Sequence, residues 1–236
     1  MRLVAEAFAK VNRSLVVLGK RPDGFHELDT VFQAVGLSDR LTFETSVGLS
    51  LEVDDPSIPS GAENLVLRAA RALAASAGVP ARAAITLEKR IPSGGGLGGG
   101  SSDAAVALLG LSALWGLDLP VGGLAEIGAS VGSDVPFFLY GGTARGLGRG
   151  ERIAPLPDLP SAGVVLVMPP FPVATNGTPA RPRRSASSTA RRRAVPAAAP
   201  RPAPPRGTRR RTTWGSRTAT SAPAPTGRRT AARTSA

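Results

Sequence analysis

The first 175 residues are predicted to adopt an α+β fold, on three observations. Short runs alternate apolar and polar residues at the period of a half-buried strand, as in Leu41-Thr42-Phe43-Glu44 and Leu49-Ser50-Leu51-Glu52-Val53. Other runs space their apolar residues as a helix does, as with Ala104, Leu108, Leu111 and Trp115. The two kinds of run follow one another without the regular parallel βαβ alternation of a dinucleotide-binding fold.

Each element has its own signal. Arg2 to Leu18 is apolar enough for strand structure, and Gly19 to Gly24 reads as a turn. The runs 41–44 and 49–53 are strands. Glu63 to Ala77 is rich in Ala, Leu and Arg and stops at Gly78, the pattern of a helix with glycine just past its end. Ala83 to Ile91 reads as a strand that Pro92 and the following glycines end. Asp103 to Trp115 is a helix, and Pro120 to Ser130 a short one. Gly142 to Leu156 and Gly163 to Met168 are further strand candidates.

The 236 residues suffice for one large domain or two small ones, but the composition is uneven. Residues 1–175 hold 14 Lys+Arg and 17 Asp+Glu, whereas residues 176–236 hold 15 Arg and no Lys, Asp or Glu. The formal net charge of +12 therefore comes from the last quarter. That quarter contains nine prolines and no Leu, Ile, Met or Phe, too little apolar surface to offset chain entropy, so it is expected to be a disordered tail. The absence of cysteine excludes disulfides and thiolate chemistry and suits a reducing, cytoplasmic setting. No uncharged apolar stretch reaches about 18 residues, so no membrane span is expected. The first ten residues are broken by charge too often for a signal peptide.

The densest chemical signal is the run Pro92-Ser93-Gly94-Gly95-Gly96-Leu97-Gly98-Gly99-Gly100-Ser101-Ser102, between a strand pattern and a helix pattern. Glycines without Cβ let backbone N–H groups turn toward an anion and approach it closely. Ser101 or Ser102 is a natural N-cap for the helix that follows. A helix N-terminus has orphan N–H donors and a partial positive charge, so phosphate is favoured there. A flexible linker would not sit between two patterned elements with Leu97 and Ala104 placed to pack. A Walker A loop would need a lysine after its last glycine, and none is present. Gly94-x-Gly96-x-x-Gly99 formally satisfies the dinucleotide fingerprint, as any glycine run this dense would.

Three other segments carry polar groups in informative settings. Lys10 and Asn12 share one face of a strand, and a lysine facing a phosphate site neutralises charge in phosphoryl transfer. His26, the only histidine, follows Phe25, so the pair reads either as structural or as the lining of a base-stacking pocket. Asp134 stands between Gly132-Ser133 and the apolar run Val135-Pro136-Phe137-Phe138. It reads either as a turn aspartate or as a part-buried carboxylate that a lysine such as Lys10 would pair and poise to accept a proton.

Together these segments resemble the GHMP small-molecule kinases. The resemblance is carried by Ala9-Lys10-Val11-Asn12, Arg21-Pro22-Asp23-Gly24-Phe25-His26, Glu63-Asn64-Leu65-Val66, Pro92–Ala105 and Gly132-Ser133-Asp134-Val135-Pro136-Phe137-Phe138, in that order. It covers residues 1–175 and implies the GHMP-kinase N-terminal domain, a ribosomal protein S5 domain 2-like fold, over residues 1–160. Residues 161–175 would be the start of a C-terminal domain that the chain otherwise lacks, with 176–236 as the tail.

The implied activity is that of a small-molecule kinase acting on an alcohol group. ATP, with Mg²⁺, would phosphorylate a hydroxyl of a cytidine diphosphate methylerythritol in non-mevalonate isoprenoid precursor synthesis. The resemblance makes Asp134 the base and Lys10 its partner. It wraps residues 92–102 around the ATP phosphates, sets Asn64 and Lys89 near adenine, and assigns Asn12, Phe25 and His26 to the substrate. It implies no specific nucleic acid or membrane partner and leaves the oligomeric state open.

Two departures from the family stand out. From Asn176 onward the composition is that of a GC-rich gene read out of frame, so impaired activity and poor solubility are expected. Arg13 stands where the family prefers an apolar residue and, by alternation, is expected to face the core. A nonspecific polyanion binder acting through the arginine tail is the competing expectation. A dinucleotide oxidoreductase rests only on the accidental fingerprint.

Overall fold

The fold is organised by two long antiparallel strands, β1 (Arg2–Lys20) and β2 (His26–Glu44), paired from Arg2↔Glu44 to Lys20↔His26. The turn between them closes through Arg21 N donating to Phe25 O at 2.7 Å, while the Asp23 carboxylate accepts from Phe25 N at 3.1 Å. This is the chemistry expected of Pro-Asp-Gly between strands. The computed structural model describes residues 1–160 and 162–167, all within the unit Met1–Arg181. The expected tail and everything else beyond residue 167 lie outside the described residues.

One edge of β2 takes β1 along its length. The other is divided: Arg40–Glu44 pair with β4 (Ala83–Glu88) and Leu28–Gln33 pair with β5 (Thr143–Gly148), both antiparallel. Strand β3 (Leu49–Val53) runs parallel to β4, and β6 (Arg152–Pro155) closes the β5 side. The β2 residues between the two pairings face a gap in the sheet. The glycine loop is anchored there.

Four helices complete the domain: α1 (Leu65–Ala77), α2 (Gly99–Leu114), α3 (Val121–Val131) and α4 (Val135–Tyr140). Helix α1 is capped by Asn64, whose Oδ1 accepts from Val66 N at 2.9 Å, and stops at Gly78 in the left-handed conformation. Helix α2 is poor in large side chains, which lets it lie flat on the sheet. A Cβ at Gly110 would stand 2.5 Å from the Phe43 ring. The core places Leu41, Phe43, Ile85 and Leu87 of the sheet against Val66, Leu73, Leu108 and Leu111 of the helices, all essentially buried. Each such side chain contributes about 1.5–3 kcal/mol by leaving water. A smaller cluster joins Phe32 of β2 to Phe137 of α4, ring centroids 4.9 Å apart, and so seats the residue that precedes α4.

The structure differs from the sequence expectations at several places. Strand β2 extends far N-terminal of 41–44. Asp29, Gly36 and Asp39 interrupt its pattern, and pairing with β1 along the other edge carries the strand through them. The candidate 142–156 is a hairpin of two strands. Residues 163–167 form no strand: none of the described residues pairs with them, and Val165 and Val167 are 88% and 85% exposed. Helix α4 carries no periodic signal because it is six residues long. Arg13 does not face the core. The register jumps between Asn12 and Ser14, so Arg13 is the extra residue of a bulge, and it is exposed.

Candidate active site

The glycine run connects β4 to α2, and its last two glycines belong to the helix. The N-cap is Gly98, in the left-handed conformation with φ 74°, rather than Ser101 or Ser102. No other residue fits there. A Cβ at Gly98 would lie 2.7 Å from the Phe138 ring and 3.1 Å from Lys10 Cγ. With the helix starting earlier than expected, Ser102 falls inside its first turns. Its hydroxyl is buried and donates to Phe8 O at 2.7 Å, which removes it as a donor to any ligand. Ser93 is exposed and Ser101 half-buried. The first N–H groups of α2 have no partner within the helix. Residues Pro92 to Gly100, with Lys89 and Ile91, line a cleft of about 160 Å³ beside them. β1 holds the end of the loop through Lys10 N donating to Leu97 O at 2.9 Å.

Lys10 and Asp134 meet at that end. The Lys10 side chain is 8% exposed, and its Nζ stands 3.5 Å from Asp134 Oδ2. The same Nζ donates to Asn12 Oδ1 at 2.7 Å and lies 5.4 Å from the Phe32 ring centroid. Asn12 in turn donates to Thr30 Oγ1 at 2.7 Å, and Thr30 donates to Ser14 O at 2.7 Å. This relay fixes the asparagine amide with its oxygen toward the lysine. Asp134 is about one-third exposed and uses no side-chain oxygen to cap α4, so its carboxylate is open to a hydroxyl. A cation, an accessible carboxylate and a helix N-terminus thus converge, which suits proton acceptance beside transferring phosphate.

The other expected residues occupy distinct surroundings. Asn64 spends its amide on local structure, capping α1 and donating to Pro59 O at 2.6 Å. The start of α1 lies against the loop, since a Cβ at Gly100 would stand 3.6 Å from Leu65 Cδ1. Lys89 borders the cleft, but its ammonium sits between Asp39 Oδ2 at 2.5 Å and Asp103 Oδ2 at 2.8 Å. Burial opposes the lysine's charge, yet the two carboxylates outweigh it and hold Lys89 above the usual lysine range. Asp103 is pushed up to about 7 by burial, against the pull of Lys89.

Phe25 and His26 stand exposed at the far end of the β1–β2 hairpin. The turn between β5 and β6 links them to Lys10 and Asp134. The Arg149 guanidinium lies 5.0 Å from the Phe25 ring centroid, and a Cβ at the adjacent Gly150 would stand 3.6 Å from Asp134 Oδ1. Sequence reasoning missed Thr30, Asp39 and Arg149. Asp103 lies within the loop motif without an assigned role. A buried carboxylate such as Asp39 leaves no local mark when its partners come from 50 residues away.

The family profile described as "GHMP kinases N terminal domain" matches residues 64–142. The chain is 51% identical over 177 residues to the 4-diphosphocytidyl-2-C-methyl-D-erythritol kinase of Pelotomaculum thermopropionicum, covering 74% of this chain and 62% of the relative. It is 50% identical over 174 residues to the same-named kinase of Moorella thermoacetica, covering 73% and 61%. A crystal structure of 4-(cytidine 5'-diphospho)-2C-methyl-D-erythritol kinase matches with a TM-score of 0.56 at 47% identity, over 65% of this chain and 55% of that one. A mevalonate kinase structure shares the fold alone, with a TM-score of 0.50 at 14% identity, over 66% and 56%. The chain spans about three fifths of the length of the curated relatives it matches.

Proposed function

We propose that this chain carries the ATP-binding half of a kinase that phosphorylates a hydroxyl of 4-diphosphocytidyl-2-C-methyl-D-erythritol in isoprenoid precursor synthesis. The observation that carries the reading is the Lys10–Asp134 pair, 3.5 Å apart, beside the open N-terminus of α2. Similarity to two named kinases at 51% and 50% identity supports the substrate. In this reading residues 1–160 are the ATP-binding domain and 161–175 begin a second one.

Asp134 takes the proton of the acceptor hydroxyl as its oxygen attacks the γ-phosphorus and the bond to the β-phosphate oxygen breaks. Lys10, 3.5 Å from Asp134 Oδ2, neutralises charge on the transferring group. In-line transfer mainly requires positioning and charge neutralisation. The N–H groups from Gly94 to Ser101 cradle the phosphates, with the Ser93 and Ser101 hydroxyls available to them. Ser102 contributes only by holding α2 to β1. Asn64 and Lys89 shape the adenine end by supporting the backbone. Phe25 stacks on cytosine, His26 meets its edge, and Asn12 orients the acceptor.

Among the described residues no group of three or more His, Cys, Asp and Glu forms a metal cage. Ser101 and Asp134 are the residues that would help hold a Mg²⁺ ion carried by the nucleotide phosphates. Such an ion would supply further neutralisation of phosphate charge.

The test is a coupled ADP-release assay with the cytidine diphosphate substrate, with ³¹P NMR of the product. Asp134→Asn is expected to lower kcat about 10²–10⁴-fold with ATP binding retained. Turnover unchanged in that variant, or no ATP binding by the unmodified chain, would overturn the reading.

A further inference from the structure

We propose that Asp39, Lys89 and Asp103 form a clamp that sets the shape of the nucleotide loop by tying its two ends together. These are positioning residues, acting on the phosphates through the backbone of 92–101.

The entry of the loop is held by carboxylates. Asp39, fully buried in the gap of the sheet, accepts from Arg90 N at 2.5 Å and Ile91 N at 2.8 Å through the same oxygen. Asp54 accepts from Lys89 N at 2.8 Å. Three consecutive N–H groups are thereby fixed before the first glycine. The exit is held by Asp103, on the second turn of α2 and 2% exposed. The Lys89 ammonium joins the two, reaching Asp39 Oδ2 and Asp103 Oδ2. It lies directly under the first residue of the helix, where a Cβ at Gly99 would stand 3.3 Å from Lys89 Nζ.

Between these anchors the loop has little to order it. Gly94, Gly96 and Gly98 all have positive φ, and Leu97 is the only buried side chain from 92 to 98. Glycines lose the most conformational entropy on ordering, so an untied loop would sample many shapes. Its N–H groups would then meet a phosphate only after being ordered, which weakens binding. The clamp orders them in advance. It also explains a costly arrangement: one buried cation faces two buried carboxylates, and Asp103 Oδ1 has no hydrogen-bond partner among the described residues. Stability alone would favour apolar side chains at such positions.

The first arm of the test reads the loop without ligand, by hydrogen exchange on the full chain. Lys89→Met is expected to speed exchange of amides 93–101 at least tenfold more than it speeds exchange in α1 and β4. The double variant Lys89→Met/Asp103→Asn leaves Asp39 as the one buried carboxylate of the three groups, still held by the N–H groups of Arg90 and Ile91, and is expected to stay folded with the same fast loop. Asp103→Asn alone keeps an oxygen for the Lys89 ammonium and is expected to stay within threefold of the parent. The second arm rests on the reading of 92–102 as a nucleotide loop. In the double variant the Kd for a non-hydrolysable ATP analogue is expected to rise at least tenfold and that for the cytidine diphosphate substrate to change less than twofold. Loop exchange unchanged in the double variant, or an equal weakening of both ligands, would overturn the clamp. A parent chain whose loop responds to these substitutions but never binds nucleotide would overturn the functional reading and leave the clamp standing.

Discussion

Asp103 and Asp134 show how two carboxylates on one domain acquire different tasks from their surroundings. Asp134 keeps contact with solvent and a single cation at 3.5 Å, and is open to a substrate. Asp103 is sealed beneath α2, and burial pushes it up to about 7 from an ordinary 3.8. Because its folded value is raised, its contribution to stability is complete below about pH 4 and is lost as pH rises toward 7. Denaturant unfolding should therefore show the native state losing about 2 kcal/mol from this group as pH rises from 5.5 through 7 to 8, with little further loss above. Asp103→Asn should remove that slope. Breaking the buried pair from the other side is more severe. Lys89→Met alone should lower stability by about 3–5 kcal/mol, since it strands two buried carboxylates, and thermal or denaturant unfolding measures it directly.

At the scale of elements, glycine does its work where backbones approach closely. Gly110 lets α2 lie on Phe43, and Gly110→Ala should destabilise by about 1–3 kcal/mol through overpacking. Gly98 combines a positive φ of 74° with a contact to Phe138 and Lys10, so Gly98→Ala strains the cap and displaces the lysine stem at once. Nucleotide affinity, measured by calorimetry, should fall further in Gly98→Ala than in Gly110→Ala, although both lower the melting temperature. Asn64 serves as a cap first. Asn64→Ala should cost about 1 kcal/mol of stability, read as a lowered denaturant midpoint. The single helices and short strands were legible in the sequence because their signals are local: a cap, a stop at Gly78, an alternation. The long β2 was not, since Gly36 and Asp39 lie in the one stretch without sheet neighbours on its second edge. Helix α4 was not either, because a few residues ending in Phe137-Phe138-Leu139-Tyr140 look the same in any buried element.

For the whole molecule, the notable feature is the outer part of β1. Leu15, Val16, Val17 and Leu18 are 44–61% exposed, on both faces of a strand that, among the described residues, has β2 on one edge and nothing on the other. Exposed apolar strand edges of this kind invite pairing with another chain. The chain should associate in a concentration-dependent manner, and Val17→Lys should reduce that association without lowering the melting temperature. Size-exclusion chromatography with light scattering at several concentrations measures the association, and thermal unfolding measures the melting temperature. No helix among the described residues is long and apolar enough to cross a membrane.

The local motifs were the most legible part of this protein in its sequence. A glycine run between strand and helix, a lysine and asparagine two apart, and an aspartate before an apolar run are local patterns, and they carried the GHMP resemblance without any coordinates. Tertiary structure decided which of these side chains are free to act. Ser102, an expected ligand, is spent on Phe8 O; Arg13, expected inside, stands outside on a bulge; and Lys89 is held between Asp39 and Asp103. The reason is physical. A side chain's type follows from the codon, but whether its hydrogen-bonding capacity is already consumed depends on partners that only folding brings within 3 Å.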